Sequence, residues 1–241
     1  MTPYWQSADG AIVIYHGDMR DLCASLRADA VITDAPFAIG DSQILAEGKS
    51  SKRKGSLRAY HAPSDWDRDF DPLWCARSCE AAPVVAWFGS WKRRADVEAA
   101  MSHPIRCEVI WAKDTHVGPP CPAAMRDERI WIFSHAGFTG QHFETTVWDE
   151  PIIPTWAHRR HKNQKPERLI SRLVRWVAPP TWSILDPFMG SGTTLAVCQA
   201  LGRRCIGIDA SEEHCETAAR RLDRSRGTAE HHDLPLFSPR A

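Results

Sequence analysis

The 241-residue sequence predicts an α/β protein with a mostly parallel sheet and helices on both faces. Two observations support this prediction. Short apolar runs of strand type alternate with helix-length amphipathic stretches through most of the chain. Two of the apolar runs end in an aspartate that is followed by a turn rich in Gly or Pro, as at the carboxyl edge of a parallel sheet, where small ligands bind.

The elements follow from local composition. Runs rich in β-branched and aromatic residues predict strands at 11–16, 30–33, 83–88, 108–111, 129–133, 183–185 and 204–208. Stretches with helical spacing of apolar residues predict helices after Asp18 through Leu26, after Ser90 through Met101, and at 166–177, 194–201 and 212–222. We expect one domain over 1–222, a surface loop over 40–63, and a flexible tail over 223–241.

Composition narrows the class of protein. The sequence contains 30 Lys and Arg residues and 30 Asp and Glu residues, so its formal net charge is zero. Any nucleic-acid partner would therefore have to bind to a local basic patch. The eight Cys are not spaced as metal ligands, and we expect thiols and no metal site. No signal peptide is recognisable, and no apolar run approaches the about 20 residues that span a bilayer. We therefore expect a cytoplasmic protein without membrane contact.

The sharpest motif covers residues 185–194, Leu-Asp-Pro-Phe-Met-Gly-Ser-Gly-Thr-Thr. A strand ends at Asp186, and Gly190 and Gly192 permit a tight turn close to a ligand before a helix opens. The next strand ends at Asp209, where a carboxylate could accept the two hydroxyls of a ribose. A dinucleotide site is the rival interpretation, but Leu195 stands where its third Gly belongs.

A second motif, residues 33–37, follows the strand at 30–33 and should lie at the same sheet edge. A ring-conjugated amino group is a poor nucleophile because its lone pair is delocalised. The Asp34 carboxylate and the Ala35 carbonyl could accept its two hydrogens and favour a pyramidal nitrogen. Pro36 would stiffen the turn, and Phe37 would stack on a base removed from a duplex.

Together these motifs resemble those of the beta-class amino-group DNA methyltransferases, which use S-adenosylmethionine. The family's catalytic motif is commonly Asp-Pro-Pro-Tyr and its cofactor motif resembles Asp-Pro-Phe-x-Gly-x-Gly-Thr-Thr, in the order seen here. Tyr-His-Gly-Asp at 15–18, His-Lys-Asn-Gln-Lys-Pro at 161–166 and the strand at 202–209 also match. The resemblance covers roughly residues 11–222. Ala35 and Phe37 depart from the motif, but a main-chain carbonyl and a stacking ring are kept.

The resemblance implies a Rossmann-like class I methyltransferase fold with one antiparallel strand. It implies methyl transfer to adenine N6 on a flipped-out base, with N4-cytosine transfer and a catalytically silent nucleic-acid-binding protein as alternatives. Asp18 would lie near the cofactor's adenine and Lys165 near its methionine end. The remaining cofactor-binding residues would be Asp186, Phe188, Gly190, Ser191, Gly192, Thr193 and Asp209.

DNA would be contacted by two basic groups, and such contacts make binding depend steeply on salt. These groups are Lys49, Lys52, Arg53, Lys54 and Arg58, and then Arg159 and Arg160. Only about 25 residues, 137–161, are available as a target-recognition segment, which predicts a short or relaxed recognition sequence. Leu234 to Phe237 resemble peptides that dock on bacterial sliding clamps, and a homodimer is a further expectation. A restriction-modification or phage setting fits the resemblance.

Overall fold

The structure is a computed structural model. It describes residues 1–37, 69–114, 126–135, 137–138, 140–153 and 164–225. Within these residues, nine strands form one sheet in the order β1-β2-β9-β8-β3-β4-β6-β5-β7. Their bounds are β1 Trp5–Gln6, β2 Ile12–His16, β3 Ala30–Thr33, β4 Val84–Gly89, β5 Ile105–Ala112, β6 Asp127–Ser134, β7 Val147–Asp149, β8 Ile184–Asp186 and β9 Cys205–Asp209.

The sheet is mostly parallel, as predicted. Strands β2, β9, β8, β3 and β4 run in one direction, and β5 and β7 are parallel to each other. β6 runs antiparallel between β4 and β5. The two-residue strand β1 adds a second antiparallel strand at the edge, beside β2, that the sequence had not indicated. The α/β class is therefore confirmed.

Helices cover both faces of the sheet, because alternate strand residues point to opposite sides. The helices are α1 Met19–Leu22, α2 Pro72–Ala81, α3 Arg94–Ala100, α4 Glu167–Val177, α5 Thr193–Ala200 and α6 Glu212–Ser225. Val31 faces the cluster packed by α1, α2 and α3, whereas Ile32 faces the cluster packed by α4, α5 and α6. Within this described part of the chain, no helix is both long and apolar enough to cross a membrane.

Three described elements were not predicted: β1, β7 and α2. Helix α2 has a recognisable start, since Asp71 accepts a 2.9 Å hydrogen bond from the backbone N of Leu73 and Pro72 stands at the first helical turn. Helix α6 runs through Ser225 and so extends beyond the predicted domain end at residue 222. Central strands β3 and β8 lie where the order of connections reverses, which is where ligands bind in open α/β sheets.

Candidate active site

The motifs at 33–37 and 185–194 follow two neighbouring strands, β3 and β8, at the same edge of the sheet. β3 pairs in parallel with β8, and Val31 lies beside Leu185. Beyond this pair, the hydroxyl of Thr33 donates a 3.0 Å hydrogen bond to Oδ1 of Asp186. Both side chains are buried. The turns are therefore joined directly, although they are 153 residues apart in the chain.

The motif at 185–194 forms a turn between β8 and α5, called the cofactor turn below because of the resemblance. Asp186 anchors the start of this turn from inside the protein. Besides Thr33, the backbone N of Phe188 donates to its Oδ1 at 3.2 Å. Burial raises the pKa of Asp186 to about 6, and the hydrogen bonds from Thr194 and Thr33 oppose that rise. The side chain thus fixes the turn rather than facing solvent.

The cofactor turn requires glycine at its second glycine position. Gly192 caps α5 with a φ of 73°, a backbone conformation that other residues rarely adopt. A Cβ at this position would come within 2.8 Å of the Cβ of Ala218 on α6. Gly192 therefore allows the turn to lie directly against α6.

Asp209 at the end of β9 holds the other side of this turn. Its Oδ2 accepts from the backbone N of Gly190 at 2.9 Å, and its Oδ1 accepts from the backbone N of Ser211 at 2.9 Å. His214 Nδ1 lies 3.1 Å from the same Oδ1, and this hydrogen bond raises the pKa of His214. A carboxylate has about four lone-pair positions, so Asp209 keeps capacity for further hydroxyl donors.

Asp18 lies at the same edge, because parallel pairing of β2 with β9 sets His16 opposite Asp209. Its Oδ1 accepts from the backbone N of Arg20 at 2.8 Å and thereby caps α1. The Arg20 guanidinium also binds both carboxylate oxygens of Asp18. This hydrogen bonding lowers the pKa of Asp18, which keeps it an anionic acceptor.

Asp34 lies in the turn at 34–37 after β3, called the catalytic turn below because of the resemblance. One of its carboxylate oxygens accepts a hydrogen bond, and the other has no partner among the described residues. Its Oδ2 accepts a 2.6 Å hydrogen bond from Lys165 Nζ. Its Oδ1 is buried and has no hydrogen-bond partner among the described residues. Burial raises the pKa of Asp34, and the Lys165 ammonium acts against that rise. A buried acceptor of this kind is costly unless a donor arrives.

Lys165 belongs to a buried chain of alternating charges. Its Nζ also lies 3.1 Å from Oε2 of Glu128 on β6, and Lys113 Nζ lies 2.5 Å from Oε1 of Glu128. The Lys165 ammonium sits 5.3 Å from the ring centroids of Phe37 and Phe88. Lys165, expected at the methionine end of a cofactor, thus contacts the carboxylate of Asp34, the residue predicted to be catalytic.

A cleft with largely aromatic walls lies beside the catalytic turn. Its cavity volume is only about 10 Å³, close to the space that one water molecule needs. Its lining includes Pro36, Phe37, Phe70, Trp87, Phe88 and Arg93. Two residues of the motif at 33–37 therefore border a shallow surface with aromatic rings, which is too small a cavity to enclose a base as it stands.

The predicted DNA contacts lie outside the described residues. These are Lys49, Lys52, Arg53, Lys54, Arg58, Arg159 and Arg160. The whole loop at 40–63, the segment at 154–161 and the tail motif at 234–237 also lie outside the described residues. Asp18, Asp34, Lys165, Asp186 and Asp209 are described, and the structure brings all five to one sheet edge.

Three charged residues of the site were missed. Glu128 lies within β6 and Lys113 directly follows β5, but both strands carry other charged residues, so no local pattern singles these two out. Arg221 on α6 is buried and donates at 3.0 Å to both Ser191 O and Thr193 Oγ1. No local pattern distinguishes Arg221 from its exposed neighbour Arg220.

Comparison with known proteins gives a consistent picture. Residues 134–220 match the N6/N4 family described as DNA methylase. The chain is 35% identical over 261 residues to the type II methyltransferase M.ScaI of Streptomyces caespitosus, a match that covers 92% of this chain and 84% of that protein.

A second relative is the DNA adenine methyltransferase YhdJ of Escherichia coli (strain K12). It is 39% identical over 88 residues, which covers 36% of this chain and 30% of YhdJ. The chain spans only 25% to 31% of the length of three further curated relatives.

Among solved structures, the M1.HpyAVI–SAM complex is similar in fold. It has a TM-score of 0.62 and 23% sequence identity, and the match covers 88% of this chain and 100% of that one. The Rossmann-like methyltransferase fold expected from the sequence is therefore confirmed.

Proposed function

This chain belongs to the N6/N4 family of DNA methylases, and we propose that it transfers a methyl group from S-adenosylmethionine to an exocyclic amino group of a DNA base. The observation that carries the proposal is the hydrogen bond between Thr33 and Asp186. It holds the turn that carries the acceptor Asp34 next to the turn that resembles a cofactor site.

The residues of the cofactor turn fit S-adenosylmethionine. Asp209 would accept from the ribose hydroxyls, and its side chain keeps 13% of its surface exposed at the sheet edge. Phe188 and Trp74 form an edge-to-face pair with ring centroids 5.4 Å apart, which offers an apolar surface for an adenine ring. The bound cofactor would supply an electrophilic sulfonium methyl group. M1.HpyAVI, which shares the fold, was crystallised with this cofactor.

The catalytic turn would prepare the target nitrogen. Oδ1 of Asp34 and the main-chain carbonyl of Ala35 would accept the two amino hydrogens, so that the lone pair is no longer held in conjugation with the ring. The nitrogen would then be placed to accept the methyl group that the cofactor supplies, and Oδ1 of Asp34, which accepts one amino hydrogen, would take the proton that the nitrogen loses. Because the transfer is direct, no nucleophilic Cys is required.

The aromatic surface beside Phe37 would stack against the base after it leaves the duplex, and the small cleft there would have to widen to admit it. An amino group inside a stacked duplex cannot be reached from both faces, so extrusion of the base accompanies chemistry of this kind. The aromatic walls offer stacking that offsets part of the cost of unpairing. The basic groups at 49–58 and at 159–160 would contact phosphates, which carry no sequence information.

Adenine N6 is the preferred target for two reasons. Position 34 is Asp, whereas the cytosine N4 enzymes of the resembled family more often carry Ser there, and the relative YhdJ is a DNA adenine methyltransferase. Cytosine N4 is the second candidate, since the matched family includes both kinds of amino group. A silent DNA-binding protein is disfavoured, because Asp34 and the cofactor turn are both complete.

The test is transfer of labelled methyl from S-adenosylmethionine to unmethylated DNA, followed by digestion and chromatography of the nucleosides. We expect N6-methyl-2′-deoxyadenosine. Detection of the N4-methylated cytosine nucleoside alone would identify cytosine N4, and not adenine N6, as the target. No incorporation into any DNA would reject the proposed activity.

A further inference from the structure

The carboxylate proposed to grip the target amino group is one end of a buried row of four charges. The row runs from Asp34 through Lys165 and Glu128 to Lys113. Its members come from four places in the chain: the turn after β3, the segment before α4, strand β6 and the end of β5. The signs alternate, so the row is neutral as a whole.

Three members of the row are shielded from water, whereas the side chain of Asp34 at its end is 27% exposed. The side chains of Lys165, Lys113 and Glu128 are only 10%, 10% and 17% exposed. Lys165 lies among the rings of Phe37 and Phe88, and Lys113 lies 5.0 Å from the ring centroid of Trp111. Such a buried ion pair adds little to stability compared with apolar packing, whereas removing one partner leaves an uncompensated charge. A role in fixing geometry is a better account of three such groups in a row behind the Asp34 carboxylate.

The two oxygens of Asp34 are not equivalent. Oδ2 is held by Lys165 at 2.6 Å, and Oδ1 is buried without a partner in the described part of the chain. Lys165 also forms an ion pair with Oε2 of Glu128 at 3.1 Å, although this oxygen accepts no hydrogen bond in the described part of the chain, and Lys113 holds the other oxygen of Glu128. The rotation of the carboxylate, and hence the position of Oδ1, depends on this sequence of contacts.

We infer that Glu128 and Lys113 are positioning residues for methyl transfer: they hold the Lys165 ammonium against Oδ2 of Asp34, which leaves Oδ1 to accept the target amino hydrogen. The inference rests on the proposed function, in which Asp34 is that acceptor. Neither Glu128 nor Lys113 touches the substrate. Both act through Lys165.

The row also sets the charge state of Asp34. Burial raises the pKa of Asp34, Lys165 and Lys113 lower it, and Glu128 raises it. Asp186 also interacts electrostatically with Asp34, because the negative charge of Asp34 raises the pKa of Asp186. A protonated Asp34 would be a poorer acceptor, so a shift in its pKa should move the acid limb of the pH profile of kcat/KM.

Two substitutions should move that limb in opposite directions. Lys113→Met removes a positive charge, so the limb should move to higher pH by about one unit, with activity recovered on raising the pH. Glu128→Gln removes a negative charge, so the limb should move to lower pH. It also frees Lys165, so the plateau kcat should fall about tenfold or more. Lys113→Arg should keep the wild-type limb.

Glu108→Gln is the matched control. Glu108 lies on the neighbouring strand β5, pairs with Arg94 and Arg129, and has 22% of its side chain exposed. Because Arg129 follows Glu128 in the strand, this pair lies on the opposite face of the sheet. The control should keep the wild-type profile and kcat. Cofactor affinity and thermal unfolding of each variant would identify loss of folding.

The outcomes separate two kinds of failure. If Asp34→Asn is as active as wild type, or if no DNA is methylated, the proposed function fails. If Asp34 is essential but Lys113→Met and Glu128→Gln keep the wild-type limb and plateau, only the positioning role is overturned. If Lys113→Met does not fold, the Glu128→Gln profile decides: an unchanged limb and kcat reject the inference.

Discussion

The hydroxyl of Thr33 and the carboxylate of Asp186 lie 3.0 Å apart across the boundary between β3 and β8. This single contact joins the turn that carries Asp34 to the turn that begins the cofactor motif. Because both side chains are buried, neither group can exchange its partner for water.

Thr33→Val should therefore weaken both folding and catalysis. The variant keeps the size of the side chain but leaves Asp186 without one donor, which costs about 1–3 kcal/mol for a buried group. Urea unfolding should show this loss, and kcat should fall because the two turns are no longer joined. Thr33→Ser keeps the hydroxyl and should retain most of the activity. Equal activity of the Val and Ser variants would contradict this role.

Asp34→Ala should leave S-adenosylmethionine binding largely intact and abolish methyl transfer. The carboxylate is proposed to contact the amino group of the base, whereas the cofactor is held by the turn at 185–194 and by Asp209. Calorimetric titration with the cofactor, together with labelled methyl transfer to DNA, separates the two effects. Near-normal turnover of the variant would defeat the assignment of Asp34.

The pKa of Asp186 predicts a pH-dependent gain in stability for Asp186→Asn. The folded-state pKa of about 6 lies above the usual value near 4, so the folded state favours the protonated form. The stability that this form contributes is present below about pH 4 and is lost as the pH rises through about 6. Between these limits the free energy of unfolding of the Asn variant should rise relative to wild type, by about 2 kcal/mol. A difference that is constant from pH 4.5 to 7.5, measured by denaturant unfolding, would show that Asp186 does not titrate in this range.

Gly192→Ala should destabilise the cofactor turn more than Gly202→Ala does. Both glycines have positive φ, at 73° and 63°, so each substitution carries a backbone cost of about 1–2 kcal/mol. At Gly192 the new Cβ would also meet the Cβ of Ala218 at 2.8 Å, whereas the space at Gly202 is open. We expect weaker cofactor binding in calorimetric titration for the first variant alone. Identical affinities in the two variants would mean that the close approach to α6 is unimportant.

Much of this fold could be predicted because its signals are local. The apolar runs that form β2, β3, β4, β8 and β9 were identified within one or two residues. The missed elements have weaker signals: β1 and β7 contain only two and three residues, and α2 has a mixed pattern of buried and exposed positions. The strength of a strand signal grows with its length, so the shortest strands are the first to be lost.

The sequence by itself determined which residues the two turns carry. Asp34 and Asp186 end apolar strands, and glycines at 190 and 192 permit a tight turn, whatever the order of the strands in the sheet. The tertiary structure alone decided that Lys165 binds Asp34 and that Glu128 and Lys113 stand behind it. That contact joins residues 131 positions apart in the chain. Glu128 and Lys113 stand behind this contact because the sheet places β6 and β5 beyond β4, and strand order results from the packing of the whole chain rather than from any local pattern.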